Sequence, residues 1–199
     1  MDLKEITNFI TISAESLNIK KWDFGASYSK DFSVQVDKGL AKQLKASQKQ
    51  VLTLRVWNDK NLVGITTTSD LSEDGLKKAL YQANVASNYG NKNELTDFSP
   101  LAKEPIKEIK ETKRTPAGIK KLLNTLRIAE NKLLNKHAAI KTIPYNGLSE
   151  SFFKRIYANS DGAERSYEKS QAAIYLYARA EENNRKPRSS GSVKIGYGL

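Results

Sequence analysis

Few residues in this chain are of a type and at a spacing that could do chemistry. His137 is the single histidine, and it follows a helical apolar stripe, where the negative end of the helix dipole accounts for it. A hydrolytic zinc site commonly draws three ligands from His, Asp and Glu at helical spacings such as HExxH, which one histidine cannot supply. Cysteine is absent, so disulfides, thiolate ligands and thiol nucleophiles are excluded. No GxSxG, Walker or GxGxxG run occurs. Serines are plentiful but none has a base, and the acidic residues fall mostly in turns and helix starts, where they serve as caps or solvated charges. The sequence therefore assigns no catalytic and no metal-binding residue.

Two surfaces remain as binding candidates. Tyr175, Tyr177 and Arg179 alternate along one face of a strand, with Phe153 and Tyr157 in the preceding arm of the same hairpin. Such a face could stack on a base or accept a peptide, although packing beneath a helix is its expected fate. The polar segment 40–47 reads as an edge strand, able to add a peptide strand or a partner subunit by main-chain hydrogen bonds.

Formal charge is +11 and the pI about 9.6. The cations are scattered, with small groups such as Lys42, Lys45 and Lys49 or Arg185, Lys186 and Arg188. They read as a solvated basic surface, with a stand-alone nucleic-acid-binding module as the alternative. MDLKEITNFI is neither a signal peptide nor an anchor, and no run approaches the ~18 apolar residues of a spanning helix, so the expected location is the cytoplasm and no membrane partner is expected. Apolar residues make up 39% of the chain and recur periodically, which argues for a folded domain.

The elements that must position these residues follow from periodicity. Leu3, Ile6, Phe9, Ile10, Ser13 and Leu17 predict a helix over 3–18, with Ile12 off its stripe. Period-two alternation predicts two strands between Trp22 and Val36, separated at Lys30 and Asp31, then the edge strand 40–47 and a central strand Val51 to Trp57 covered on both faces. Leu62 to Thr68 is the next strand, with Gly64 read as a bulge or a close contact. Ser72 caps a helix that Leu71 staples and Gly90 ends, with Leu76, Ala79, Leu80, Ala83 and Ala86 on its buried face.

Residues 91–114 form an irregular connector rich in Lys and Glu. Thr115 and Pro116 are the N-cap and first residue of a second-half helix bearing Leu122 and Leu126. A short strand ends at Pro144, and 147–158 leads through the Asn159, Ser160, Asp161, Gly162 turn, read as a type I′ hairpin that sets Arg155 opposite Glu168, into a long strand through Ala172 to Ala180. The strand-like VKIGYGL at the end of the tail needs a partner. The fold class is α+β, helices on a mixed, largely antiparallel sheet, with the helix-strand-hairpin unit duplicated. It divides into 1–90, the connector 91–114, a second subdomain 115–182 and a tail 183–199.

The stretches DFGASYS at 23–29, SVQV at 33–36, VLTLRVWNDKNLVGITTTSDLSEDGLKKAL at 51–80 and NSDG at 159–162 resemble the N-terminal region of the TldD/PmbA family, also called modulator of DNA gyrase. The likeness is to the PmbA (TldE) type. Its motif positions here are Gly64, Thr68, Asp70, Leu71 and Ser72, with Asn159, Ser160 and Gly162 in the turn. This sequence departs from the family after the second strand, where Lys38, Ala41 and Lys42 replace the usual acidic residues.

The resemblance implies a subunit of a two-part metallopeptidase in which TldD-type and PmbA-type chains pair and trim unfolded peptides in a closed chamber. It further implies that zinc sits in an HExxxH helix of the TldD-type partner, in a C-terminal domain this chain lacks. No catalytic residue and no cofactor is then carried by this chain, which on its own is expected to be inactive. What the resemblance leaves is an N-terminal scaffold that walls the chamber and helps subunits pair, truncated before the C-terminal domain.

Overall fold

A helix, α1 (Leu3–Ser16), leads into two long strands, β1 (Lys21–Asp37) and β2 (Leu40–Trp57), a short β3 (Val63–Thr68) and helix α2 (Glu73–Ser87). A single 3₁₀ turn, Pro100–Lys103, precedes helix α3 (Ile119–Leu134) and the strands β4 (Ile140–Asn159), β5 (Glu164–Ala180) and β6 (Arg188–Gly196). The computed structural model describes residues 2–90, 98–106 and 116–198. The six strands form one sheet in the order β3-β2-β1-β4-β5-β6. β2 pairs antiparallel with β3, and β5 with β6. A helix followed by three strands thus occurs twice, and the strand order is symmetric about the β1–β4 pair, as the duplicated α+β unit predicts.

Contacts divide the chain into two compact units, each drawn from three stretches. The first comprises 1–28, 49–110 and 154–167, the second 29–48, 111–153 and 168–199. In the first, Ile6, Ile10 and Ala14 of α1 join Leu76, Leu80 and Ala83 of α2 over Phe24, Leu52, Leu54 and Val56 of the sheet. In the second, Leu122 and Leu126 of α3 cover Val34, Val36 and Leu148, with Ile174 and Leu176 packed against them. Both cores use even-numbered strand positions, the period of two that a half-buried sheet requires.

Several sequence expectations change. β1 runs unbroken through Lys30 and Asp31. The buried positions before and after that pair, Phe24 and Ala26, then Val34 and Val36, share one parity, so no turn is needed to keep them on the core face. β2 is likewise one strand from Leu40, exposed as far as Val51. Its pairing with β3 begins only at Leu52, which agrees with an edge at 40–47. The central strand is covered along the whole of one face, where Leu52, Leu54 and Val56 are buried, and only at its end on the other, where Val51 and Thr53 are exposed but Trp57 is buried edge-on to Phe98.

Pro144 lies inside β4 and does not end it. A proline lacks the N–H that a ladder needs, and here a side chain restores the pairing. Asn146 Oδ1 accepts from Val36 N at 2.9 Å, and Asn146 Nδ2 donates to Val36 O at 2.8 Å. Helix α3 starts at Ile119 behind Gly118, which has φ +79° and offers no side-chain cap. Pro116 is therefore outside the helix, and Thr115 lies outside the described residues, as does most of the 91–114 connector. The Asn-Ser-Asp-Gly turn closes on Asn159 and Ala163, with positive φ at Gly162 but not at Asp161. It is a three-residue loop with a left-handed glycine, not type I′, and the cross-strand register moves by one residue from the expected pairing of Arg155 with Glu168. The terminal strand-like segment finds its partner in β5, through Ala173 opposite Ile195 and Tyr175 opposite Val193. Ile12 is exposed, and α2 ends at Ser87 on an Asn88 cap. Gly90 is not left-handed; a Cβ there would lie 2.1 Å from Val63 O.

Candidate functional site

In the first unit, the Gly64 to Ser72 run is a closed local structure. Gly64 lets α2 approach: a Cβ would sit 2.0 Å from Ala83 O and 2.4 Å from Ser87 N. Thr68 Oγ1 accepts from Asp70 N at 3.1 Å, and Asp70 Oδ1 accepts from both Ser72 N at 3.0 Å and Ser72 Oγ at 2.7 Å. Ser72 Oγ in turn accepts from Gly75 N at 3.2 Å, which is the expected helix cap. The Ser72 hydroxyl, followed by its backbone N–H, holds the Asp70 carboxyl below the ordinary aspartate range. Leu71 packs against the core as the staple. Gly75, which the sequence reading passed over, is required because a Cβ would meet Asp70 Cγ at 2.4 Å.

The second motif in the same unit fixes the hairpin. Asn159 Oδ1 accepts from Asp161 N at 3.1 Å and Ala163 N at 2.9 Å. Ser160 N donates to Trp22 O at 2.9 Å, and Ser160 Oγ accepts from Trp22 N at 3.2 Å. Next to it is a charge network absent from the sequence expectations. Asp23 is buried and accepts from Arg55 in a bidentate pair, with Arg55 Nε 2.8 Å from Asp23 Oδ1. Tyr157 OH donates to Asp23 Oδ2 at 3.3 Å, and the Arg55 guanidinium lies over Trp57 at 5.1 Å. The hydrogen bond to Asp23 raises the Arg55 pKa, and burial raises that of Tyr157. The sequence signal for Asp23 was its place between Trp22 and Phe24, both in the core.

In the second unit, two further carboxylates are buried. Glu130 on α3 accepts from Lys38 N at 3.1 Å and Gly39 N at 2.7 Å, holding the β1–β2 turn. Glu150 accepts from Ala117 N just ahead of α3. Asp23, Glu130 and Glu150 are thus each occupied by structural donors. The lone histidine is exposed and its Nδ1 accepts from Ala139 N at 3.1 Å, so it holds a turn after α3. Among the described residues no group of three His, Asp or Glu is placed to hold a metal.

The five residues of the aromatic candidate surface divide between the two units. Tyr157 belongs to the first unit, turned to Asp23. Phe153, in the second, is half-buried on β4. Tyr175, Tyr177 and Arg179 do share a face of β5, but among the described residues no helix covers it: α3 packs on the opposite face, against Ile174 and Leu176. The expected burial of the tyrosines beneath a helix is therefore corrected. Tyr175 OH accepts from Gln35 Nε2 at 2.9 Å. Tyr177 meets Tyr145 edge-on at 6.1 Å, and Arg179 Nε pairs with Glu181 at 2.8 Å.

Comparison with known proteins follows the fold. The sequence model of the PmbA/TldA metallopeptidase domain 1 matches residues 22–83, and that of the PmbA/TldA metallopeptidase central domain matches residues 112–199. No curated protein matches in sequence. A putative modulator of a DNA gyrase from Thermotoga maritima superposes with TM-score 0.75 at 14% identity, covering 99% of this chain and 44% of its own. TldE from Thermococcus kodakarensis gives TM-score 0.70 at 17% identity over 96% and 42%. A putative modulator of DNA gyrase from Bacteroides thetaiotaomicron gives 0.72 at 12% over 98% and 45%. These likenesses show the shared fold, and the chain spans less than half the length of each of the three. With both domain models falling in order on that fold, the chain belongs to the PmbA/TldD family.

Proposed function

We propose that this chain is the N-terminal, non-catalytic part of a PmbA/TldE-like metallopeptidase subunit. In this reading it acts as scaffold and as a wall of the chamber in which the complete complex degrades unfolded peptides. The observation that carries the reading is the ordered match of domain 1 and the central domain to a chain whose buried carboxylates and single histidine are all taken by structural partners. Zinc belongs to a TldD-type partner, and the motif residues Gly64, Thr68, Asp70, Leu71, Ser72, Asn159, Ser160 and Gly162 act structurally, by shaping two turns. The reading also places the protein in the cytoplasm. No helix among the described residues is long and apolar enough to cross a membrane.

The test is assembly. Light scattering of this chain mixed with a TldD-type subunit should show a complex of defined stoichiometry. Elution of the two as separate species at tens of micromolar would remove the pairing role.

A further inference from the structure

Two features of the second unit lie outside the peptidase reading. The first is charge. Its sequence holds 18 Lys and Arg against 8 Asp and Glu, whereas the first unit holds 15 against 14. Ten of the chain's eleven net positive charges therefore belong to the second unit. A composition that looks scattered along the sequence is segregated in the fold, which points to a polyanionic partner.

The second is the way the tyrosines lie. A Cβ on Gly147 would meet the Tyr175 ring at 2.4 Å, and one on Gly191 would meet the Tyr177 ring at 2.1 Å. A Cβ points away from the sheet plane, so each ring is laid over a glycine of the neighbouring strand. A ring lying down in this way covers bare backbone, with Tyr145 edge-on to Tyr177 at 6.1 Å. Tyr175 and Tyr177 keep 37% and 42% of their surface exposed, and Val193 and Ile195 extend the same open face along β6 at 65% and 68%. Arg179 follows on β5 and Arg185 and Lys186 lie in the connection to β6, whereas Arg188, opposite Ala180, falls on the other face.

We propose that this face binds single-stranded nucleic acid, with bases stacked on Tyr175 and Tyr177 and phosphates toward Arg179, Arg185 and Lys186, taking the place of the Glu181 and Glu182 carboxylates that pair with the two arginines. Flat aromatic rings beside cations on an open sheet suit an unpaired strand, whose bases present π-faces that a duplex hides. A second copy of this chain is disfavoured as the occupant, because it would bring two units of net charge +10 together. An acidic peptide would satisfy the charge but leave the rings without a stacking partner.

The experiment is fluorescence anisotropy of the 199-residue chain with a labelled oligothymidylate, an abasic oligomer of equal length, a duplex and poly-glutamate. Oligothymidylate should bind tightest, with log K falling against log salt at a slope of about −2 for three contacted phosphates. The double variant Y175A/Y177A should lose roughly tenfold or more in affinity, while Y177F, which keeps the ring, should bind as the parent does. Thermal melting of the variants checks that they are folded. Equal binding of the abasic oligomer or the duplex, binding of poly-glutamate as tight as oligothymidylate, an unchanged affinity in the folded double variant, or no binding at low salt would each overturn the proposal.

Discussion

At the scale of single residues, the motif positions are explained by backbone crowding and by local hydrogen bonds. Gly64→Ala forces a Cβ into the α2 backbone, and overpacking of this kind should cost about 1–3 kcal/mol or more. Gly25→Ala, with nothing within 4 Å of its Cβ, should change the urea midpoint far less. Comparing the two midpoints checks the claim. Asp70 supplies a pH dependence whose sign follows from its lowered pKa. A carboxyl depressed in the folded state contributes stability that is present above the unfolded aspartate pKa of about 3.9 and is lost as pH falls through the folded value. Acid titration of stability should therefore fall more steeply in the parent than in Asp70→Asn over that window. A matching slope in both would show that the Ser72 contacts do not stabilise the charged form. The sequence displayed the Ser72 cap and the crowding at Gly64 because both are local. It did not display the Asp23–Arg55 pair or Glu130, whose partners lie 32 and about 91 residues away.

At the scale of elements, the sequence was read correctly where periodicity is strong and wrongly where a single residue was taken as punctuation. α1, α2 and the body of α3 follow from their stripes. The errors at Lys30 and Asp31, at Pro144 and at Pro116 share one cause, since a turn signal is local while the pairing that overrides it is not. Pro144 is the clearest case. Asn146, 110 residues from Val36 in sequence, makes the two hydrogen bonds that keep β1 and β4 joined beside the proline. Asn146→Ala should leave the buried Val36 N–H and C=O unpaired, at a cost of about 1–3 kcal/mol for each group left unsatisfied. Hydrogen exchange should then show Val36 losing protection before the neighbouring amides. Protection at Val36 equal to that of the parent would mean that another group serves it.

At the scale of the whole molecule, the α+β architecture and the duplicated order of helix and three strands were legible from patterning, and the family from the run 51–80 with the turn at 159–162. Two properties were not legible. One is the division into units built from three stretches each, because which half of a 17- or 18-residue strand joins which core depends on tertiary contacts. The other is the concentration of charge in the second unit, which a linear listing of lysines and arginines disperses. The proposed function holds that the chain carries no catalytic centre of its own. Hydrolysis of an unfolded peptide by the purified chain, measured with added zinc and again with a chelator, tests it most directly. The account predicts no hydrolysis above the buffer in either condition, whereas zinc-dependent hydrolysis that the chelator abolishes and that follows the chain through purification would contradict it.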